Sequence, residues 1–282
     1  MELSIRDALS EASQILQAAG VPDARRDAAS LLAHVIGKNR TFLFSHAEEK
    51  LDANTFEGYR EIVERRAGGE PLQYITGYQD FYGRAFRVTP DVLIPRPETE
   101  LLVESALALM GGLRFCDVGT GSGCIAVTLL CERLNAHGVA VDVSAAALVI
   151  AEENAVTFKV NERVEFLVSD CFGALPASSA QFDLIVSNPP YVAAEVIAGL
   201  QREVRDHEPM TALTPGTDGL SIIRRLITEA PQFLRKDGHL LLEIGFDQGN
   251  AVRDLVNGSE FDLVDIRPDL AGIPRIVILR RL

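Results

Sequence analysis

The sequence predicts an α/β fold, in which a mostly parallel β-sheet carries helices on both faces and follows a small helical bundle. From Glu98 onward, apolar runs typical of buried strands alternate with segments of helical periodicity, and this alternation is typical of parallel sheets. Over roughly the first 75 residues, by contrast, apolar residues recur only at helical spacing. A chain of 282 residues is also near the size at which proteins divide into domains.

The predicted helical bundle covers residues 1–75 and contains three segments with one apolar face each. The first helix begins at Ser4, which forms a capping pattern with Asp7, and it ends at Gly20. The second ends at Gly37, and the third begins at an Asp52 cap. Such stripes are most simply explained by helices that bury a shared core.

Residues 76–97 form the predicted linker, which we interpret as a short β-hairpin. The stretch YQDFYGRAFRVTPDVLIP is rich in aromatic and β-branched residues and is interrupted by Gly83 and Pro90. The preceding Gly68-Gly69 pair is typical of a chain break between domains.

The third predicted region, residues 98–282, supplies the sheet. Helices are expected at residues 123–134, 144–155 and 221–234, with another before the last strands. The final segment, near Phe261 and Arg275, predicts a closing hairpin that adds an antiparallel strand. The strands before it are expected at RFCDV, GVAVD, RVEFLVSD, FDLIVSN and HLLLEIG.

Composition and charge restrict the class of partner. The formal net charge is −13, and such a surface repels nucleic acid in general. We see no signal-peptide pattern and no apolar run long enough to cross a bilayer, so we expect a cytoplasmic protein without a membrane partner. The four cysteines lack metal-ligand spacing, and we expect reduced thiols and no metal site.

The turn after the first strand of the sheet has the features of a cofactor site. In the stretch from Gly119 to Gly123, glycine alternates with Thr120 and Ser122, and Asp117 stands two residues before it. Ligands bind at such carboxyl-end turns. Asp142 and Asp170 end the next two strands. The turn contains no basic residue and no phosphate-binding signature, so an acid-lined site suits a ribose and a cation. S-adenosylmethionine, which carries sulfonium and ammonium charges, is such a ligand.

The fourth strand ends in Ser187-Asn188-Pro189-Pro190-Tyr191, which indicates a rigid loop of hydrogen-bond acceptors. Pro189 restricts Asn188 to an extended conformation, and neither proline has an N–H. The Asn188 side-chain oxygen and the Pro189 carbonyl then form a pair that fits the two donors of a planar NH2 group. We expect Tyr191 to pack against that planar group.

Several stretches together resemble a known family. DVGTGSG, VDVS, SDCF and SNPPYV resemble class I S-adenosylmethionine-dependent methyltransferases, whose sheet is Rossmann-like. VLIPRPETE, HEPMTALTPGTDGL and LLEIGFDQG further resemble the HemK/PrmC family, which methylates a glutamine side-chain amide in peptide chain release factors. The resemblance covers nearly the whole chain. NPPY alone is shared with adenine-N6 DNA methyltransferases, so the resemblance to the HemK/PrmC family depends on NPPY occurring together with IPRPETE.

The resemblance also implies roles for individual residues. It implies cofactor contacts from Gly119, Thr120, Gly121, Ser122, Gly123, Asp142, Asp170, Cys171 and Asn188. It implies substrate contacts from Arg96, Glu98, Asn188, Pro189, Pro190 and Tyr191, with catalysis by Asn188, Pro189 and Tyr191. Thr99 is expected in the same cleft, whereas strand-end acids such as Glu208 and Glu243 are as readily explained by solvation. Cys171 stands where relatives often have an aromatic residue, which leaves its contact with adenine open.

Three alternatives remain at this stage. An adenine-N6 nucleic-acid methyltransferase would need a basic groove, which the acidic composition disfavours. A nicotinamide enzyme would leave the Asn188 loop unexplained, and a catalytically silent cofactor-binding module would not need it. The favoured hypothesis is a monomeric release-factor glutamine methyltransferase that binds no nucleic acid stably and docks the factor on its N-terminal bundle.

Overall fold

The computed structural model describes residues 3–110, 114–176 and 182–282. The chain forms two compact units. One comprises residues up to Tyr78 together with Gln201–His207, and the other comprises Gln79–Leu200 and Glu208–Leu282. Within the described ranges, no helix has the length and apolar character needed to cross a membrane.

The α-helices and β-strands are numbered in chain order. The helices are α1 Ile5–Ala18, α2 Ala24–Ile36, α3 Arg40–Ser45, α4 Ala53–Ala67, α5 Leu72–Thr76, α6 Glu100–Leu109, α7 Cys124–Glu132, α8 Ala145–Thr157, α9 Arg202–His207, α10 Met210–Leu213, α11 Ser221–Glu229 and α12 Gly249–Val256. The strands are β1 Tyr78–Phe81, β2 Arg84–Arg87, β3 Arg114–Val118, β4 His137–Asp142, β5 Val164–Val168, β6 Phe182–Ser187, β7 Leu234–Glu243, β8 Phe261–Pro268 and β9 Pro274–Arg281.

The helices of the first unit begin and end where the capping residues predict. The Ser4 hydroxyl accepts the Asp7 N–H at the start of α1, and the Asp52 carboxylate accepts two N–H groups at the start of α4. Gly37 ends α2 with φ +64°, a left-handed conformation that glycine adopts without strain. Buried aliphatic side chains and Tyr59 form a core shared by these helices.

Helix α9 belongs to the first unit because of a buried ion cluster. The Arg66 guanidinium, on α4, donates to Asp27 of α2 at 2.8 Å and pairs with Glu203 of α9 at 2.9 Å. A buried arginine requires such partners, since an unpaired buried charge is costly. Residues 201–207 were predicted to belong with the sheet, because the linear pattern does not reveal this long-range ion pair.

The second unit contains a seven-stranded sheet in the order β5-β4-β3-β6-β7-β9-β8. Strands β3 to β7 pair in parallel, whereas β9 runs antiparallel to both β7 and β8. The predicted α/β fold, with its closing antiparallel hairpin, is therefore confirmed. The carboxyl ends of β3 and β6, which are neighbours, bring the glycine turn and the Asn188 loop to the same edge of the sheet.

Both faces of the sheet are buried under helices, as the alternation of side chains in a strand requires. Along β7, Leu240 and Leu242 join a core with Leu226 of α11. The intervening Leu241 joins a second core with Leu129 of α7 and Leu102 of α6.

The hairpin of β1 and β2 turns at Tyr82 and Gly83, which both have positive φ, as a two-residue hairpin turn requires. The predicted boundary between α11 and β7 is wrong. The helix expected at residues 221–234 ends at Glu229, because Pro231 follows in a short 3-10 turn and Leu234 already begins β7.

Candidate active site

The glycine turn lies between β3 and α7. Gly119, Gly121 and Gly123 have φ values of +75°, +54° and +78°. A Cβ on Gly119 or Gly121 would meet no atom of the described residues within 4 Å, so the backbone there borders open space. A Cβ on Gly123 would lie 3.1 Å from the Cβ of Ala151, so this glycine instead allows α7 and α8 to pack closely.

Asp117, at the end of β3, lies buried beneath the turn. Its Oδ2 accepts the Thr120 hydroxyl at 2.7 Å and the Ala126 N–H at 3.2 Å. Its Oδ1 has no hydrogen-bond partner among the described residues. Burial raises the pKa of Asp117 to about 7, and the nearby charge of Asp142 acts in the same direction.

Asp142 ends β4 and holds the turn from the side. Its Oδ2 accepts the Gly121 N–H at 2.8 Å, and its Oδ1 accepts the Ser144 N–H at 2.9 Å. From the sequence, this carboxylate is expected to line a site for a ribose and a cation. In the structure it also fixes the glycine turn, and each oxygen retains a second lone pair for a ligand.

Asp170 and Cys171 lie at the next strand end. The Asp170 carboxylate is exposed and pairs with Arg225 Nη1 at 2.7 Å, a partner on α11 that the sequence pattern does not indicate. Cys171 is buried and has φ +49°, an uncommon conformation for a residue with a side chain. Both residues border the same cleft as the glycine turn.

The Asn188 loop follows β6 directly. The Ser187 hydroxyl donates to the Val118 carbonyl at 2.6 Å, which ties the loop to the end of β3. The Asn188 amide donates from Nδ2 to the Thr99 hydroxyl at 3.1 Å. Because an amide has a donor end and an acceptor end, this bond leaves Oδ1 of Asn188 as the acceptor that remains.

Tyr191 differs from the expectation. Its ring packs against the core of the sheet, and its hydroxyl donates to Glu243 Oε1 at 3.3 Å. The residue therefore does not border the cleft. Its carbonyl accepts the Gln248 amide at 2.9 Å. Burial raises the pKa of the Tyr191 phenol, so this hydroxyl stays protonated.

The motif around Arg96 divides between the cleft and the surface. Arg96 borders the cleft, and its Nη2 pairs with the buried Glu208 carboxylate at 2.5 Å. Glu98, predicted to contact substrate, is exposed on the 3-10 helix Pro97–Thr99 and does not border the cleft. Thr99, the next residue, is buried and faces it.

The predicted site residues therefore converge on one cleft of about 320 Å³, within the size range of small-molecule sites. The exceptions are Gly123, Glu98 and Tyr191. The predicted residues that border the cleft are Arg96, Gly119, Thr120, Gly121, Ser122, Asp142, Asp170, Cys171, Asn188, Pro189 and Pro190.

Residues that the sequence analysis missed or undervalued hold these elements together. Gln248 accepts the Gly245 N–H and donates to the Tyr191 carbonyl, so it connects the end of β7 to the Asn188 loop. Asn154 exchanges hydrogen bonds with the Arg87 backbone and donates to the Ser122 carbonyl. The only signal for Gln248 is its place in the stretch LLEIGFDQG, and Asn154 has none.

The cleft fits S-adenosylmethionine. The open space at Gly119 and Gly121 admits a ligand against the backbone. Asp91, Asp142 and Asp170 supply carboxylates, whereas Arg96 is the one basic side chain on the described part of the lining. This balance of charge suits a cationic ligand.

Comparisons with known proteins agree with this geometry. Residues 7–77 match the PrmC N-terminal domain, and residues 97–203 match the methyltransferase small domain. A release factor glutamine methyltransferase from Cereibacter sphaeroides is 47% identical over 97% of both chains. The protein of the same name from Koribacter versatilis is 43% identical over 99% of both chains.

Solved structures with a similar fold are more distant in sequence. The ribosomal protein L11 methylase of Lactobacillus delbrueckii has a TM-score of 0.51 and 21% identity, and the comparison covers 72% of this chain and 90% of that one. The hMettl16 catalytic domain in complex with MAT2A 3'UTR hairpin 6 has a TM-score of 0.55 and 17% identity, with 71% and 76% covered. These likenesses support the methyltransferase fold alone. The nearly full-length similarity to the two bacterial proteins shows more, and the chain belongs to the release factor glutamine methyltransferase family.

Proposed function

We propose that this protein transfers the methyl group of S-adenosylmethionine to the side-chain amide nitrogen of a glutamine in peptide chain release factors. We place that glutamine in the factor's Gly-Gly-Gln motif. The observation that carries the proposal is the fixed orientation of Asn188, whose Nδ2 is used by Thr99 so that Oδ1 remains an acceptor beside the cleft.

The mechanism follows from two acceptors at the end of β6. A glutamine amide is a weak nucleophile because its nitrogen lone pair is delocalised. Asn188 Oδ1 and the Pro189 carbonyl oxygen accept hydrogen bonds from the two N–H groups of the glutamine amide. These hydrogen bonds keep electron density on the nitrogen and stabilise the positive charge that develops there. Each such preorganised group is worth about 3 kcal/mol in other enzymes. After transfer, the proton leaves to solvent through the open cleft.

The cofactor end of the cleft is lined by Gly119, Gly121 and Asp142, and Asp117 lies buried beneath the glycine turn. S-adenosylmethionine supplies, when bound, a methyl group on a positively charged sulfonium. The glycine turn lets the backbone approach the ligand, and the acids favour its cationic groups. Arg96, fixed by Glu208, borders the substrate side and offers further guanidinium donors to peptide carbonyls.

Methyl mapping tests the proposal. Purified protein is mixed with radiolabelled S-adenosylmethionine and, in separate reactions, a release factor or a mixed-sequence DNA. We expect one methyl group on the motif glutamine, no label on a factor with alanine at that position, and no label on DNA. Label on adenine would show that the substrate is a nucleic acid and not a protein. The absence of label in every reaction would overturn the proposed activity.

We further propose that the first unit docks the body of the factor, whereas the cleft receives only the glutamine loop. Phe44, on α3, is 75% exposed, which is unusual for so large an apolar side chain. We expect Phe44→Ser to raise KM for the full-length factor and leave KM for a short glutamine peptide unchanged. Leu134→Ser, at an equally exposed position of the second unit (78%), is the matched control.

We also propose that the protein acts in the cytoplasm as a monomer without a stable nucleic-acid or membrane partner. The four cysteines are free thiols, and free thiols persist in reducing compartments. Light scattering during size-exclusion chromatography tests the monomer, because a dimer would elute with twice the mass of the chain.

A further inference from the structure

Glu243 is a buried carboxyl group behind the Asn188 loop to which the mechanism above assigns no role. It is the last residue of β7 and only 1% exposed. Its Oε1 accepts the Tyr191 hydroxyl at 3.3 Å. Its Oε2 has no hydrogen bond to any residue that the structure describes. A buried carboxyl with an oxygen left over requires an explanation.

Thr99 connects this carboxyl group to Asn188. The Thr99 hydroxyl accepts the Asn188 Nδ2–H at 3.1 Å, and its interaction with Glu243 favours the charged carboxylate. A threonine hydroxyl has a single proton to donate. Since Asn188 already donates to this oxygen, the Thr99 proton is available to the carboxylate.

We propose that Glu243 is a positioning residue, which through Thr99 keeps the Asn188 amide with Nδ2 inward and Oδ1 toward the substrate. The inference rests on the function proposed above. If the Thr99 proton turned to Asn188, the amide would flip to accept it, and Nδ2 would then face the substrate NH2 group. An ionised Glu243 prevents the flip because it can accept a hydrogen bond from the Thr99 hydroxyl and cannot donate one in return.

Tyr191 is held from the same carboxylate. Its hydroxyl donates to Oε1, and the loop from Asn188 to Tyr191 is thereby fixed near both of its ends. Glu243 thus positions two residues of one rigid loop. It acts on Asn188 through Thr99, which lies 89 residues before Asn188, and on Tyr191, which lies 52 residues before Glu243. Buried networks of this kind specify one arrangement only when they are ionised as the geometry requires.

The ionisation of Glu243 depends on the groups that surround it. Burial raises its pKa to about 7, and Glu98 acts in the same direction. Thr99, Tyr191 and Arg275 oppose this rise. Cys124, at the start of α7, also faces it as a buried thiol whose own pKa is raised. The required carboxylate is therefore lost as the pH falls below about 7.

Kinetics of Thr99→Val and Glu243→Gln test the proposal. Thr99→Val removes the hydroxyl and Glu243→Gln removes the negative charge, each with little change in shape, so we expect kcat to fall about tenfold or more. The dissociation constant of S-adenosylmethionine, measured by calorimetry, should change less than about twofold. Thr99→Ser restores the hydroxyl and should recover most of the lost kcat. Wild-type kcat should fall below about pH 7, and this dependence should vanish in Glu243→Gln.

Thr128→Val is the matched control, because Thr128 is fully buried on α7 and its hydroxyl has no partner among the described residues. It should keep wild-type kcat. The side-chain NH2 resonance of Asn188, assigned by its loss in Asn188→Ala, should shift with pH in the wild type and not in Glu243→Gln.

Wild-type kcat in Thr99→Val and Glu243→Gln would overturn the proposal, as would an equal loss in Thr128→Val. A pH-independent Asn188 resonance would also contradict it. Failure of the proposed function is distinguishable, since the wild-type protein itself would then leave the glutamine unlabelled while the resonance still responds to pH.

Discussion

Asp117 is the residue whose replacement should most clearly change how stability depends on pH. Its carboxyl group is fully buried, and among the described residues only Oδ2 has hydrogen-bond donors, from Thr120 and Ala126. Burial, reinforced by the charge of Asp142, raises its pKa from 3.8 to about 7. The folded protein therefore retains a proton that the unfolded chain loses near the ordinary pKa of 3.8.

The sign of the effect follows from this difference. The stabilising contribution of the protonated carboxyl is fully present below pH 3.8 and is lost as the pH rises through about 7. Each pH unit inside that window costs about 1.4 kcal/mol of unfolding free energy. Between about pH 5.5 and 7.5, Asp117 therefore lowers the free energy of unfolding by about 2 kcal/mol.

Asp117→Asn removes the titration and leaves the side-chain shape unchanged. We expect urea unfolding, followed by circular dichroism, to show a decline between these pH values that is about 2 kcal/mol smaller than in the wild type. Glu243→Gln should flatten the profile in the same way, because burial also raises the pKa of Glu243 to about 7. If the unfolding free energy of Asp117→Asn declined with pH as steeply as that of the wild type, ionising Asp117 would not destabilise the folded protein. The raised pKa assigned to this buried carboxyl would then be wrong.

Cofactor binding separates the two variants. A cationic ligand favours the ionised form of Asp117, so the affinity of the wild type should fall as the pH decreases below about 7. Asp117→Asn should bind S-adenosylmethionine more weakly and without this dependence. Glu243→Gln, whose carboxyl lies behind the substrate loop, should retain the wild-type affinity in calorimetry.

Two further substitutions test the glycine turn and the loop. Asp142→Ala should weaken S-adenosylmethionine binding about 10- to 100-fold in calorimetry, since hydrogen bonds to a charged group are worth about 1.5–3 kcal/mol; an unchanged dissociation constant would exclude a contact with the cofactor. Gly219→Ala places a Cβ 2.4 Å from the Tyr191 carbonyl oxygen at φ +70° and should lower both the unfolding free energy, by about 2 kcal/mol, and kcat. Gly216→Ala, with φ +111° but no atom within 4 Å, carries backbone strain without the clash, so equal kinetic losses in the two variants would contradict the role of Gly219.

The elements that position the site were predictable because their signals are local. Ser4, Asp52 and Gly37 cap helices through contacts with residues two to four positions away, and the motifs at Asp117 and Asn188 follow apolar strands directly. Parallel strands align their carboxyl ends, so the convergence of these motifs on one edge follows from the strand pattern alone.

The direction of side chains was less predictable because it depends on contacts between distant segments. Tyr191 was expected beside the substrate, yet its hydroxyl donates to Glu243, 52 residues later. The Asn188 amide is oriented by Thr99, 89 residues earlier. Likewise, Glu203 joins the first unit because it pairs with Arg66, and no pattern within residues 201–207 indicates this.

The most direct test of the proposed chemistry is the rate of methyl transfer in Asn188→Ala, measured in a single turnover at saturating S-adenosylmethionine and release factor. Because the Asn188 oxygen acts mainly in the transition state, we expect this rate to fall about 100- to 1,000-fold while cofactor affinity stays unchanged. A wild-type transfer rate would remove Asn188 from the mechanism and contradict the proposed role of the loop.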